Sequence, residues 1–346
     1  MLGTDEGIVT SMKKAAAFRK DVVLCCLLIG LFIAPVCWSV EPSVNEPSPG
    51  HSAGEWKEWD VLDAKTGGPV KLDEWMESLS HYDIVYIGEE HHNQFHIEAA
   101  LKVLQSLVDR NLQPVLALEM FGWDGQAALD RYVAPDDSEV HREEFLADVH
   151  WNQNWGGSFD DYAPLLHFAR AHRLKVRAMN PPKPFIRGVV KKGLAGARSE
   201  PEWNHWGMAA ETIVDDPLYR ERILDQLQRC HGGGSPEDYQ TMYEASMVRD
   251  EAMAKTLVAT WNALQAEGAV RGPMVSYTGG GHIQYKLPVP KRVARRLSGE
   301  VSQTTVYLTS FDPSRQSEIR QYLADGLADY VWLTPMGKQG PPQRCR

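Results

Sequence analysis

Glu89, Glu90, His91, His92 and His96 crowd the stretch that follows the apolar run Ile84-Val85-Tyr86-Ile87 and Gly88. Imidazole and carboxylate groups so close together can bind a cation or exchange protons near neutral pH. A solvated polar loop is the plainer account of the same cluster, and matches this short also arise by chance. The spacing is not that of the zinc-protease helix His-Glu-x-x-His, and no cysteine pair completes a structural zinc site. Glu119 closes a second apolar run, Val115-Leu116-Ala117-Leu118. A charge there is costly unless something pairs with it, so Glu119 either meets an arginine or a helix N-terminus or belongs to a site. Gly279-Gly280-Gly281-His282 closes a third run, where the glycines allow close backbone approach and place an imidazole just beyond a strand. The Lys-Ser/Thr of a P-loop is missing and Gly-x-Gly-x-x-Gly is not completed, which argues against nucleotide binding.

Those groups need a scaffold that brings distant segments together. Ile84 to Ile87, Val115 to Leu118, Leu174 to Met179, Met274 to Thr278, Thr304 to Thr309 and Tyr330 to Leu333 read as strands. Between them, Ile97, Leu101, Leu104 and Val108 recur at helical spacing, and Tyr162 to His172 and Pro236 to Ala266 read as helices. Alternating strands and helices predict an α/β fold, a largely parallel central sheet with helices on both faces. A helical insertion spans about 185–235, broken by Gly232-Gly233-Gly234. Ligands of such sheets bind beyond the carboxyl ends of the strands. Glu89, His91, Glu119, Asn180 and His282 all fall at such ends, and their convergence there is the expectation that matters most. Arg249, Asp250 and Met253 share the long helix, where a surface ion pair and a core methionine are the ordinary explanation.

The N-terminus reads as an export signal over residues 1–39: Lys13, Lys14, Arg19 and Lys20 precede an apolar run from Val22 to Val36. That run is about fifteen residues long, shorter than the roughly twenty a helix needs to cross a bilayer. Lipidation at Cys37 is an alternative, giving peripheral membrane attachment, although Ala34-Pro35-Val36 is a poor approach to it. Pro, Ser, Gly and Glu then dominate residues 40–55, a composition suited to a flexible tether. A single domain is expected over 56–340. The formal charge of the 346-residue chain is -10, which argues against nucleic acid as a partner. Of the five cysteines only Cys230 and Cys345 lie beyond the signal. They could pair in an oxidising compartment or be two unrelated thiols.

Six ordered stretches resemble the ChaN-like haem-binding uptake family of the Tiki superfamily: Tyr86-Ile87-Gly88-Glu89-Glu90-His91-His92 with His96; Ala117-Leu118-Glu119-Met120-Phe121 with Leu129-Asp130-Arg131-Tyr132; Asp161-Tyr162-Ala163-Pro164; Ala178-Met179-Asn180; Met247 to Ala254; and Gly279-Gly280-Gly281-His282. The resemblance covers roughly Trp75 to Pro290. It implies an exported or lipid-anchored protein, periplasmic or associated with an outer membrane, tied to haem or iron acquisition, in which a homodimer encloses haem and a tyrosine ligates the iron. Tyr162 is the first candidate and Tyr132 the second, with His96, Asn180, Arg249 and Asp250 as further cofactor contacts from the matched motifs. Distant members of the superfamily are metal-dependent hydrolases, whose Gly-x-x-His, acidic residue and second glycine-preceded His are matched by Gly88 to His91, Glu119 and Gly281-His282. The alternative is therefore a hydrolase using Glu89, His91, Glu119 and His282, with a divalent metal on His91, Glu119 and His282 or with direct proton transfer. The chain departs from the family at His92, where an acidic residue is more usual. In a third reading the cluster is only structural.

Overall fold

A computed structural model describes residues 56–134, 141–230, 232–297, 301–338 and 340. The expected signal, the tether and Cys345 lie outside the described residues. Seven strands form one sheet: β1 (Val61–Asp63), β2 (Ile84–Glu89), β3 (Val115–Gly122), β4 (Val176–Asn180), β5 (Met274–Gly279), β6 (Gln303–Ser310) and β7 (Tyr330–Thr334). Their spatial order is β1-β7-β6-β2-β5-β3-β4. Every pairing is parallel except that of the short edge strand β1 with β7.

Helices cover both faces because the inner strands are apolar on both. In β2, Val85 and Ile87 point into a core shared with Val103 and Leu104 of α2 (Gln94–Asp109), Leu129 of α3 (Gln126–Val133) and Leu165 of α6 (Ala163–His172). That face also takes α1 (Leu72–Leu79), and α4 (Arg142–Asp148) and α5 (Trp151–Asn154) add Phe145 and Trp151 to it. Ile84 and Tyr86 point the other way, onto Met253, Leu257 and Trp261 of α10 (Pro236–Ala266) and Val289 and Val293 of α11 (Val289–Arg296). This is the two-residue alternation of a strand buried on both sides. The fold class expected from the alternation of strands and helices is the observed one.

The insertion holds α7 (Lys183–Arg198), α8 (Pro201–His205) and α9 (Pro217–Cys230), and α12 (Gln316–Ala324) packs beside β6 and β7. α10 begins right after the glycine triplet because Ser235 and Asp238 form a reciprocal capping box: each side chain accepts from the other's backbone N–H, at 3.2 and 2.9 Å. Pro236 then supplies a preset first helical residue. Cys230, at the end of α9, is disulfide-bonded. Among the described residues no helix is long and apolar enough to cross a membrane.

Two details depart from expectation. β1 is too short to announce itself by pattern. β3 does not stop at Glu119 but runs on to Gly122, and its register against β4 shifts between Leu118 and Gly122. Such an irregularity re-aims a side chain, and the re-aimed residues include Glu119.

Candidate functional site

β2 sits mid-sheet, and its register with β5 sets Glu89 beside Gly279. The two glycine-rich turns are therefore neighbours at the carboxyl end of the sheet. The approach is close: a Cβ on Gly279 would lie 2.7 Å from His91 Cε1, and one on Gly88 would lie 2.6 Å from Ile283 Cδ1. Glycine is required at both places because a neighbouring side chain fills the space of a methyl group.

His91 is held from behind. Its Nδ1 is 2.8 Å from Glu89 Oε1, and the same carboxylate accepts from the hydroxyls of Tyr162 at 2.9 Å and Tyr277 at 2.6 Å. Burial raises the pKa of Glu89, against the lowering effect of these donors. The His91 side chain is 44 % exposed and meets Trp155 edge to face, ring centroids 4.8 Å apart. Since Nδ1 is taken, Nε2 is the nitrogen it can offer. Partial burial works against its charged form, but Glu89 and Glu119 outweigh that and its pKa is raised.

Glu119 is the hub of the second half. One oxygen accepts from the Gly279 N–H at 2.6 Å, and the other accepts from Arg249 Nη2 at 2.5 Å and lies 3.3 Å from His282 Nε2. Burial alone would raise its pKa, yet the His282 and Arg249 charges hold it well below the carboxylate range. Asn180 joins the hub to α10, donating to the Glu119 carbonyl at 2.9 Å and accepting from Arg249 Nε at 3.0 Å. His282 Nδ1 is 2.6 Å from Asp250 Oδ1, whose other oxygen accepts from the Tyr219 hydroxyl at 2.5 Å. Burial would lower the pKa of His282, but Glu119 and Asp250 bring it up to about 9. Both ring nitrogens of His282 thus face carboxylates, whereas in His91 it is Nδ1 that is taken.

The structure thus brings Glu89, His91, Glu119, Asn180, Arg249, Asp250 and His282 together. Arg249 and Asp250 are not a surface pair: each reaches into the crevice, while Met253 is core. Three candidates stand elsewhere or act otherwise. Tyr162 is fully buried, donates to Glu89 and accepts from the His92 N–H at 3.1 Å. Burial first, and then the Glu89 charge, push its pKa far up, so its phenol stays protonated with its hydroxyl committed to Glu89 and the His92 N–H. Tyr132 stacks on Phe145 at 4.0 Å and its hydroxyl is 3.4 Å from His167 Nε2, apart from the cluster. His96 is wholly buried, its Nδ1 accepting from the Glu90 N–H at 2.8 Å. Burial and Arg315 lower its pKa to about 3, so it fixes the turn as a neutral imidazole with no exposed surface. Among the described residues no group of three or more His, Cys, Asp or Glu side chains is arranged to hold a metal ion. His91, Glu119 and His282 form instead an ion-paired cluster whose Nδ1 and carboxylate atoms already have protein partners.

Tyr277 and Trp155 belong to the site without having been singled out. Tyr277 lies two residues before Gly279 in a strand buried throughout, and nothing in its spacing marks its hydroxyl.

The family described as haem-binding uptake, Tiki superfamily, ChaN matches residues 75–293. The chain belongs to that family. Among solved structures, ChaN of Campylobacter jejuni, described with cofacial haem binding, shares the fold with a TM-score of 0.59 at 16% identity, covering 80% of this chain and 96% of that one. The chloroplastic Protein RETICULATA-RELATED 5 of Arabidopsis thaliana is 26% identical over 282 residues, 77% of this chain. The match takes in 36% of that plant protein, so this ChaN-family chain spans about a third of its length.

Proposed function

We propose that this chain is an exported haem-binding protein, acting in haem or iron uptake as a homodimer, in which His91 presents Nε2 to the iron. The observation that carries this reading is the state of His91: backed by Glu89 through Nδ1, part-exposed at the mouth of the crevice, and flanked by the Trp155 ring. A carboxylate behind the imidazole fixes its tautomer and strengthens it as a ligand. Membership of a haem-binding family supports the choice of cofactor. When bound, haem supplies iron and its ligand chemistry, and the chain's own residues seat and orient it. Export rests on the basic and apolar residues of the N-terminus.

The test is a haemin titration of the processed protein, followed through the Soret band. Saturable binding is expected, with the band shifted and affinity reduced about tenfold or more in His91→Ala, an effect on the scale of one iron ligand removed. Tyr162→Phe should leave the band in place. An unshifted band in His91→Ala removes that residue as ligand, absence of saturable binding removes haem, and recovery of only unprocessed chain counts against export. The Glu89–His91 pair also favours a second reading, a hydrolase in which His91 takes a proton from water. Ester turnover abolished in His91→Ala and indifferent to haem would select it.

A further inference from the structure

A cavity of about 470 Å³ shares a wall with the glycine-rich turn but is lined by none of the residues of the site above. Gln284 and Tyr285, which follow His282 in the chain, line it, and Tyr307 of β6 joins them from beneath the turn: a Cβ on Gly280 would lie 2.5 Å from Tyr307 Cε2. α9 contributes Arg222, Gln226 and Arg229 at three- and four-residue spacing, which puts them on one face of the helix. Tyr285 enters the wall on a strained backbone. It and Lys286 have φ of 57° and 58°, a left-handed conformation that bulky residues avoid. The turn is held there by the Tyr285 N–H, which donates to the Leu327 carbonyl at 2.7 Å, and by Lys286, which pairs with Asp329 at 2.6 Å. Strain of this kind gathers at binding sites, and here it sets a half-buried tyrosine ring in the cavity wall.

The charges of the cavity cancel. Arg229 pairs with Asp225 at 2.5 Å, which leaves Arg222 and Asp325, one of each sign. Arg222 lies over the Tyr285 ring, 4.2 Å from its centroid, and Asp325 accepts from Gln321 at 2.7 Å. An ion of either sign would meet a like charge, so the wall suits an uncharged ligand. It offers hydrogen bonds in both senses, since Gln226, Gln284 and Gln321 each carry two N–H donors and a carbonyl acceptor. The one bond between Gln284 and Gln226, at 3.3 Å, leaves most of that capacity open. It also offers aromatic surface: Tyr307 and Tyr322 meet edge to face at 5.9 Å, and with Tyr285 they make three half-buried tyrosines. A sugar ring has the matching properties, hydroxyls that donate and accept at once and C–H faces that lie against aromatic rings. The geometry points to a saccharide site: the cavity between α9, α12 and the 284–286 turn takes a neutral mono- or disaccharide, with Tyr285 as its aromatic contact and the Gln226 amide among its hydrogen-bonding partners. This site is separate from the haem reading, because His91 and its partners line no part of it.

The full chain and its Tyr285→Gly and Gln226→Ala variants are titrated, by saturation-transfer NMR and calorimetry, with glucose, galactose, N-acetylglucosamine, maltose, cellobiose and diacetylchitobiose. Glucuronate and glucosamine serve as the charged counterparts of glucose. Wild type is expected to bind at least one neutral sugar saturably in the millimolar range. Tyr285→Gly should weaken that binding about fivefold or more, the scale of one aromatic contact, and Gln226→Ala about threefold or more, the scale of one hydrogen bond. The Tm of Tyr285→Gly should not fall, because glycine takes a positive φ without strain. A haemin titration is the control and should be the same in all three proteins. No saturable binding of any neutral sugar overturns the site. A sugar whose affinity neither variant changes binds elsewhere and overturns it too, and tighter binding of glucuronate or glucosamine than of glucose overturns the charge balance on which it rests. Should Tyr285→Gly lose stability, the Gln226→Ala titration decides alone.

Discussion

His91 offers one nitrogen because three neighbours leave it no alternative: Glu89 holds Nδ1, Trp155 closes one side, and Gly279 gives the ring room against the backbone of β5. A methyl group at Gly279 would overlap that ring, with His91 Cε1 and Nε2 and not the backbone as the first obstacle. Gly279→Ala should cost about 1–3 kcal/mol, the usual penalty of overpacking. In a His91→Ala background the same change should cost close to nothing, because the obstructing ring is gone. Urea unfolding of the four proteins in a double-mutant cycle reads the difference directly, and an equal cost in both backgrounds would show that the ring is not what Gly279 accommodates. The glycine and the histidines could be read from the sequence, since each punctuates an apolar run. The partners of Tyr162 could not be read: spacing reports that a tyrosine follows Asp161, and only packing shows that its hydroxyl meets the buried Glu89 carboxylate.

Three successive residues of α10 point in three directions, as helical geometry requires at about 100° per residue. Arg249 goes to Glu119, Asp250 to His282, and Glu251 to a nest of arginines on α11. Glu251 is fully buried, lies 2.8 Å from Arg295 and 3.3 Å from Arg292, and also pairs with Arg296. The helix is thus tied to the sheet's site on one side and to α11 on another, so the Glu251 network keeps Arg249 and Asp250 in register with the crevice. Removing one partner of a buried ion pair leaves charge uncompensated. Glu251→Gln should destabilise the fold by about 3–5 kcal/mol. Chemical denaturation checks this, and a loss of less than about 1 kcal/mol, the scale of an exposed pair, would mean that solvent already screens the three guanidinium groups. The extent of α10 was plain from Pro236 and the apolar spacing. Its polar partners were not, because a helix interior rich in Glu, Arg and Asp reads as a solvated face until the neighbouring elements are placed. β1 and the irregular end of β3 were hidden for a related reason: their pairing is set by partners remote in the chain.

The sheet places β5 between β2 and β3, which follow one another in sequence, and that insertion joins His91 to His282 across most of the domain. Strand-end polar residues announced a crevice, but the strand order, and so the pairing of Glu89 with Gly279, could not be inferred from runs of equal apolarity. The same joining makes the stability of the whole fold depend on pH from both sides. His282, raised from 6.5 to about 9, contributes stability that is complete below pH 6.5 and is lost as pH rises through 9. The shift corresponds to on the order of 3 kcal/mol, and His91, also raised, adds in the same direction. His96 does the reverse: lowered from 6.5 to about 3, it contributes stability present above pH 6.5 and lost as pH falls through 3. The contribution of Glu119, held well below 4.5, is likewise lost on acidification, while Glu89, raised by burial, runs against it. Stability should therefore peak near pH 6–7 and fall on both sides, as urea midpoints measured from about pH 4 to 9 would show. The two limbs have separate origins. His282→Asn should flatten the alkaline limb and spare the acid one, whereas a wild-type midpoint that keeps rising from pH 6.5 to 9 would mean that His282 is not held as an imidazolium between Glu119 and Asp250.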